Sequence, residues 1–218
     1  MGYYLFGWFV KLTGYLPYLL VFRTKVYYKN KKVQSRRIRG KAIVISNHTS
    51  VWDVAMMLFL FPMRLLRCVV AEVMFKKFWM KLFLALFGAI KVDRQAQDYA
   101  FVSKGVDVLK KGGVLEIYPE GRLPDRENDV PPLPFKPSAV YIALESGAPI
   151  LPIYTNGKYF SRQRARVIIG EPIHPLDLYD SALSERENIE KITSYLRETI
   201  IELGYELETR IKNKNAKN

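Results

Sequence analysis

Short apolar runs alternate with helical patterns along most of this 218-residue chain. Six runs have the length and the β-branched content expected of strands: 42–46, 67–71, 89–92, 114–118, 150–154 and 166–169. Helical patterns lie between these runs and after them: 51–61, 73–87, 98–111, 137–146 and 183–213. Strands that alternate with helices are typical of a sheet with crossover connections. We therefore expect a single α/β domain with a mostly parallel or mixed sheet and crossover helices.

An apolar, aromatic segment at residues 1–22 precedes a strongly basic one. Residues 23–41 carry nine Lys or Arg and no acid. This arrangement is expected at a leaflet of anionic lipid, where each nearby charge is worth about 1 kcal/mol. Lys11, Pro17 and two glycines interrupt the apolar segment, which favours a surface-lying or re-entrant helix pair over a straight span. We predict an N-terminal membrane-associating helical segment at 1–40, a folded domain at 41–213 and a disordered tail at 214–218.

The formal net charge of +13 indicates an anionic partner. Because the basic residues are concentrated after the aromatic segment, we favour an anionic membrane surface and expect no nucleic acid. The single cysteine, Cys68, excludes an intramolecular disulfide and fits a reducing compartment. We therefore expect a membrane-associated protein at the cytoplasmic face, while the oligomeric state stays open.

A histidine and an aspartate five residues apart follow the first predicted strand. His48 falls in the turn after the strand, and Asp53 lies one helical turn further on. Neutral imidazole accepts a proton near pH 7, and a carboxylate behind it fixes its tautomer and stabilises the imidazolium. The pair is a candidate general base with its orienting acid, and no serine or cysteine is marked as a nucleophile. The alternative is structural: Ser50 and Asp53 have the spacing of a helix-capping box, with His48 a polar loop residue.

A second polar cluster, Glu120-Gly121-Arg122, follows the predicted strand at 114–118. The planar guanidinium group of Arg122 suits a phosphate, and Gly121 lets the backbone approach a ligand closely. Glu120 is placed to hold the arginine or a substrate hydroxyl. The alternative is a surface turn with a solvated ion pair.

Four blocks, taken in order, resemble the pattern of the glycerolipid acyltransferase family, typified by 1-acylglycerol-3-phosphate (lysophosphatidic acid) acyltransferases. The blocks are Asn47-His48 to Asp53, Val92-Asp93-Arg94, Tyr118-Pro119-Glu120-Gly121-Arg122 and Ala148-Pro149-Ile150-Leu151-Pro152-Ile153. Alone, Val92-Asp93-Arg94 would be an ordinary strand end, but four ordered blocks are far more specific than any one of them. The resemblance covers residues 41–154, roughly half of the chain.

The resemblance implies an O-acyltransferase that moves a fatty acyl group from a thioester to the hydroxyl of a lysophospholipid. The expected acceptor is 1-acylglycerol-3-phosphate, which gives phosphatidic acid, and the donor is acyl-CoA or acyl-ACP. The family pattern makes His48 the general base and Asp53 its partner. It assigns four groups to the phosphate and glycerol of the acceptor: Arg94, Glu120, Gly121 and Arg122.

Two positions depart from the family pattern. Tyr118 replaces the usual Phe, and Arg122 follows Gly121 directly, where the family commonly has a Thr-Arg pair. The alternative is therefore an acyltransferase that acts on a different lysolipid or an aminolipid. A non-enzymatic basic membrane-binding protein would explain the basic segment but not the ordered blocks.

We expect no metal and no bound cofactor, with the thioester as a co-substrate. The histidines are His48 and His174, and with Cys68 they offer no cluster with metal-ligand spacing. His174 lies between Ile173 and Pro175 in a predicted loop, where a structural or solvated role is expected.

Overall fold

The computed structural model describes residues 2–93, 100–125, 127–161 and 164–216. The strands within these residues are β1 (Lys25–Tyr28), β2 (Ala42–Ser46), β3 (Leu66–Ala71), β4 (Ile90–Val92), β5 (Val114–Ile117), β6 (Ile150–Thr155) and β7 (Arg166–Ile169). The α-helices are α1 (Gly2–Val21), α2 (Asp53–Leu60), α3 (Phe78–Leu86), α4 (Ala100–Lys110), α5 (Ser138–Ser146) and α6 (Glu185–Asn215). Short 3-10 helices occupy Glu72–Phe75 and Pro175–Leu178.

The strands form one seven-stranded sheet in the order β1-β7-β6-β2-β5-β3-β4. Neighbouring strands are parallel except β6 and β7, which are antiparallel. Every residue of the central strand β2 is buried, as expected for a strand that is covered on both faces. The predicted α/β domain with a mostly parallel or mixed sheet is confirmed.

Helices cover both faces of this sheet. On one face, α1 and α2 pack in a buried cluster that includes Tyr18, Phe22, Met56, Leu60 and Val44. On the other face, α4, α5 and α6 pack in a second cluster that includes Val106, Ile142, Ile192, Ile43 and Ile45. Val44 faces one cluster and its two isoleucine neighbours face the other because successive strand side chains point to opposite faces.

The predicted boundary at residue 41 does not separate two structural units. β1, inside the basic segment, pairs in parallel with β7 over four residues, from Lys25 with Arg166 to Tyr28 with Ile169. The run Val26-Tyr27-Tyr28 has the β-branched and aromatic content of a strand, but the surrounding lysines and arginines mask it. Part of the segment predicted to contact lipid is therefore an edge strand of the sheet.

Helix α1 is a single helix that continues through Pro17 and packs against α2, with Tyr18 stacked on Phe59 at a ring-centroid distance of 5.0 Å. Lys11, which interrupts the apolar sequence, is buried and donates from Nζ to the carbonyls of Leu58 and Phe61, both at 2.6 Å. Such carbonyls at a helix C-terminus lack partners within the helix. No helix in the described ranges is long and apolar enough to cross a membrane.

Other predicted bounds also differ from the structure. The predicted helix 73–87 is divided into the 3-10 helix Glu72–Phe75 and α3. α2 begins at Asp53 rather than residue 51, and α6 continues to Asn215, into the predicted disordered tail. The predicted start of α4 at residue 98 lies outside the described residues.

Candidate active site

The carboxyl ends of the parallel strands place the two main polar clusters side by side. β2 and β5 are neighbours, with Ile45 opposite Ile117, so the loops that follow them emerge at the same edge of the sheet. His48 follows β2, and Glu120 follows β5. This is the edge at which open α/β sheets bind ligands.

His48 and Asp53 form the predicted pair. His48 Nδ1 lies 2.9 Å from Asp53 Oδ2, with the carboxylate fully buried and the imidazole partly exposed. The same Oδ2 accepts hydrogen bonds from the N–H groups of Thr49, at 2.6 Å, and Ser50, at 2.9 Å. Trp52, not Ser50, occupies the N-cap position of α2. Asp53 therefore orients the imidazole and holds the loop that carries it, and its hydrogen bond from the Ser50 N–H is one of the two bonds of the capping-box alternative.

Residues after β6 support Asp53 from the other side. The Tyr159 hydroxyl donates to Asp53 Oδ1, and Thr49 Oγ1 donates to the same oxygen at 3.0 Å. Gly157 has φ of +66°, and a Cβ at this position would lie 2.5 Å from Thr49 Oγ1. A glycine is thus required where this loop passes the histidine loop. Tyr159 was not predicted from the sequence, because it is 106 positions from Asp53 and belongs to no recognisable motif.

Asn47 also joins these two loops. Its side-chain amide donates to the Thr155 carbonyl and accepts from the Thr155 N–H, both at 2.9 Å. The buried Asn47 side chain makes the same pair of hydrogen bonds to Thr155 that the backbone of a neighbouring strand would make. It therefore fixes the loop after β2 against the end of β6.

Glu120 has a different environment from the one predicted. Its Oε1 accepts from the His48 N–H at 2.8 Å, and its Oε2 accepts from the Leu133 N–H at 2.9 Å. The side chain is buried, and burial raises the pKa of Glu120, opposed by these two hydrogen bonds. Glu120 positions the backbone of His48, whereas its sequence neighbourhood predicted a contact to the arginine or to a substrate hydroxyl.

Arg122 lies at the surface and pairs with Asp129. Its Nη1 and Nη2 lie 2.5 and 2.9 Å from the two carboxylate oxygens, and its side chain is 52% exposed. Gly121 has φ of +71°, which favours glycine, and the Lys136 side chain passes over it. Arg94, the remaining predicted acceptor-binding residue, lies outside the described residues.

A buried tyrosine and glutamate lie beneath the imidazole. The rings of Tyr118 and His48 stack with centroids 4.3 Å apart. The Tyr118 hydroxyl donates to Glu116 Oε1 at 2.5 Å. Burial raises the pKa of Glu116 to about 8 and raises the pKa of Tyr118 well above its usual value. Tyr118, which replaces the family's Phe, thus gives this buried carboxyl a hydrogen-bond partner.

Glu116 predicts a pH dependence of folding stability. Its pKa is about 8 in the folded protein, against 4.5 for an exposed glutamate. A carboxyl whose pKa is raised on folding contributes its stability fully below about pH 4.5 and loses it as the pH rises through about 8. We therefore expect the unfolding free energy of Glu116→Gln, measured by urea denaturation, to fall less over this range than that of the wild type. Glu145→Gln, at an exposed position of α5, is the control, and parallel wild-type and Glu116→Gln curves would contradict the assignment.

An apolar cavity of about 370 Å³ opens beside these residues. His48, Tyr118, Gly121, Arg122 and Lys136 contribute to its polar rim. The remaining wall is mostly apolar and includes Val69, Met74, Phe101, Ile117 and Leu123. Cys68 also lines it, but burial raises the pKa of this thiol well above its usual value, so it is a poor nucleophile.

The fold and the site define an α/β enzyme with a histidine–aspartate pair at the mouth of an apolar cavity. The sequence matches the acyltransferase family over residues 25–156, more than half of the chain. The chain belongs to this family, and the resemblance on which the sequence analysis relied is confirmed.

Three relatives share the name 1-acyl-sn-glycerol-3-phosphate acyltransferase. The chain is 29% identical to the Bacillus subtilis protein over 62% of this chain and 67% of the relative. It is 29% identical to the Saccharomyces cerevisiae protein, over 75% of this chain and 56% of the relative. The human beta protein is 28% identical over 67% and 50%, respectively. The matches thus span about half to two thirds of the relatives' lengths.

A solved structure has the same fold. The 1-acyl-sn-glycerophosphate (LPA) acyltransferase PlsC from Thermotoga maritima superposes with a TM-score of 0.60, covering 89% of this chain and 78% of PlsC at 21% sequence identity. The described residues contain no group of three or more His, Cys, Asp or Glu arranged to hold a metal.

Proposed function

We propose that this protein transfers a fatty acyl group from a thioester to the free hydroxyl of a lysophospholipid, with 1-acylglycerol-3-phosphate as acceptor and phosphatidic acid as product. The carrying observation is the 2.9 Å contact between His48 Nδ1 and the buried carboxylate of Asp53. This contact leaves Nε2 as the nitrogen that can take a proton at the cavity. The names of the relatives support the acceptor.

The chemistry needs one base and no covalent enzyme intermediate. His48 Nε2 removes the proton of the acceptor hydroxyl as its oxygen attacks the thioester carbonyl. The tetrahedral intermediate collapses, the carbon–sulfur bond breaks, and the imidazolium returns the proton to the leaving thiolate. Asp53 holds the tautomer that makes Nε2 the base and stabilises the imidazolium.

Backbone N–H groups near the histidine can stabilise the developing oxyanion by donating hydrogen bonds to it. Residues 50–52 carry the N–H groups at the start of the helix, but the Ser50 N–H is bonded to Asp53 and the Trp52 N–H to Ser50 Oγ. Of these three groups, the N–H of Val51 alone has no acceptor in the described part of the chain. Val51 lines the cavity with His48, so its N–H is the candidate oxyanion donor.

A panel assay tests the acceptor and the donor together. The wild-type protein would be given acyl-CoA and acyl-ACP with lysophosphatidic acid, other lysophospholipids, an ether lysolipid and an aminolipid acceptor. Preferential transfer to lysophosphatidic acid is expected. Preferential transfer to another acceptor would support the alternative within the family, and liposome binding without any turnover would support a non-enzymatic protein.

Arg122 provides a test of the acceptor site. Arg122→Ala is expected to raise the KM for lysophosphatidic acid about ten- to a hundredfold, because a charge-assisted contact to phosphate is worth roughly 1.5–3 kcal/mol. The KM for the thioester is expected to change little. Arg186→Ala, at an exposed arginine of α6 that also pairs with a carboxylate, is the matched control. A change confined to thioester saturation would assign Arg122 to the donor.

We further propose that α1 and α3 attach the protein to a membrane at the cytoplasmic face. Their outer surfaces form an apolar face, which consists of Leu5, Phe9, Leu12 and Leu16 on α1 and Phe78, Trp79, Leu82 and Phe83 on α3, all exposed. Phe6 joins the two helices through edge contacts to Phe83 and Phe87. An exposed apolar area of this extent favours burial in a lipid interface.

Some cations of the basic segment form hydrogen bonds within the fold. Arg36 donates to the carbonyls of Leu60 and Phe59, and Lys41 donates to the Ser146 carbonyl. These side chains hold the fold together, while others in the segment remain exposed for anionic lipid.

Substitutions on the apolar face test membrane attachment better than deletion of α1, because deletion also removes Lys11 and Tyr18 from the interior. Leu12→Ser with Leu16→Ser is expected to weaken binding to vesicles by about tenfold or more, since burial of a leucine is worth about 1.5–3 kcal/mol. The control is Val130→Ser with Tyr205→Ser, which changes exposed apolar residues elsewhere. Flotation on liposomes measures both, and equal binding of the two double variants would place the attachment elsewhere.

A further inference from the structure

A second, larger cavity lies at the amino ends of the strands, whereas His48 lies at their carboxyl ends. Its volume is about 590 Å³, within the range of small-molecule sites. It is bounded by the first residues of β3, β4 and β5, by the start of α1 and by one side of α4. Because His48 follows the carboxyl end of β2, the length of the strands separates the two cavities.

Positive charge dominates the wall of this cavity. The described residues contribute five cationic side chains to it: Arg64, Arg67, Lys91, Lys104 and Lys111. They contribute one carboxylate, Asp107, and none of the five cations forms an ion pair with a carboxylate of the described residues. Lys104 and Asp107 lie on α4, and Lys111 directly follows its last residue, so their spacing of i, i+3 and i+7 places them on the same side of the helix. An anionic ligand would supply the missing negative charge.

Arg64 and Arg67 are held in place by contacts that leave some of their N–H donors free. Arg64 Nη2 donates to the carbonyls of Gly40 and Gly112, both at 2.7 Å. The Arg67 guanidinium lies 4.4 Å from the ring centroid of Tyr3. A guanidinium group has five N–H donors and matches the geometry of phosphate, so both arginines keep N–H groups for a ligand in the cavity.

The neighbours of the cavity identify the source of the anion. Tyr4 and Trp8 line it and are also exposed on α1, beside the leucines of the apolar face. Tyrosine and tryptophan suit the headgroup level of a bilayer, where one side of the ring is dry and the other wet. We propose that this cavity binds the phosphate-bearing headgroup of an anionic membrane phospholipid, at a site distinct from that of acyl transfer.

Two adjacent lysines at the C-terminal end of α4 allow a matched test. Both are exposed, but Lys111 lines the cavity and Lys110 does not. Flotation would use full-length protein with phosphatidylcholine vesicles and with vesicles that also contain phosphatidylglycerol. Each lysine or arginine that contacts the anionic lipid is expected to raise the partitioning of the protein onto the vesicles about fivefold. Lys104→Gln with Lys111→Gln should therefore lower binding to the anionic vesicles about tenfold or more, and Lys110→Gln should lower it less than twofold.

Equal losses in Lys110→Gln and Lys111→Gln would overturn the proposal, since a diffuse surface charge does not distinguish the two positions. A soluble source of the same chemistry is tested by thermal shift with glycerol phosphate and inorganic phosphate. Saturable stabilisation by these anions, with no dependence of wild-type flotation on phosphatidylglycerol, would overturn the lipid assignment. Acyl transfer to a short-chain soluble acceptor should be the same in the double variant and the wild type, which separates this site from the proposed function.

Discussion

Replacing His48 with alanine is expected to lower the rate of acyl transfer about 100- to 10,000-fold, the usual contribution of a general base. Nδ1 of this imidazole contacts a buried carboxylate, and the ring lines the apolar cavity. No other histidine can substitute, because the second one, His174, lies outside the wall of this cavity. A steady-state assay with saturating thioester and lysophospholipid measures the effect.

The loss should be confined to catalysis. The backbone N–H of residue 48, which donates to Glu120, is kept in the alanine variant, so the circular dichroism spectrum and vesicle binding are expected to remain close to those of the wild type. His174→Ala is the matched control and should retain wild-type turnover. Near-normal turnover of the His48 variant would remove the histidine from the mechanism and leave Asp53 as a purely structural carboxylate.

The core of the fold was predictable from sequence because its central strands are continuous apolar runs. The predicted strand 42–46 coincides with β2, and 166–169 coincides with β7. β1 was missed because strand formation there depends on pairing with β7. The two strands are distant in sequence, since Lys25 and its partner Arg166 are 141 positions apart. The prediction of a lipid-contacting segment there was based on the local charge, and no local sequence pattern indicates so distant a partner.

The candidate site was predictable in its residues but not in all of their contacts. The five-residue spacing of His48 and Asp53 brings the two side chains together in one loop and turn, so local reasoning was sufficient. Glu120 contacts His48 across two strands, and its hydrogen bond runs to the backbone N–H, a partner that every residue except proline offers. The residue types alone therefore indicated that Glu120 makes a polar contact, but they did not identify the backbone of His48 as its partner.

Replacing Asp53 with asparagine is expected to lower turnover by up to about 10,000-fold, similar to the loss when the orienting carboxylate of a catalytic triad becomes an amide. An amide can donate to Nδ1 and so favour the tautomer with its proton on Nε2, which cannot act as a base. The variant should be inactive even where its fold survives. Asp180→Asn, which changes an exposed carboxylate that also lies near a cation, Lys191, is the control for the substitution itself.

The structure adds a second consequence for the Asp53 variant. Both carboxylate oxygens accept hydrogen bonds: Oδ2 from the N–H groups of Thr49 and Ser50 and Oδ1 from the hydroxyls of Thr49 and Tyr159. An asparagine has one acceptor oxygen, so one set of donors loses its partner at a cost of about 1–3 kcal/mol. Tyr159→Phe removes one of these donors and keeps the carboxylate. We expect it to lose a similar amount of stability but to retain most of the turnover, and equal inactivation of the two variants would assign the effect to loop geometry rather than to the imidazole tautomer.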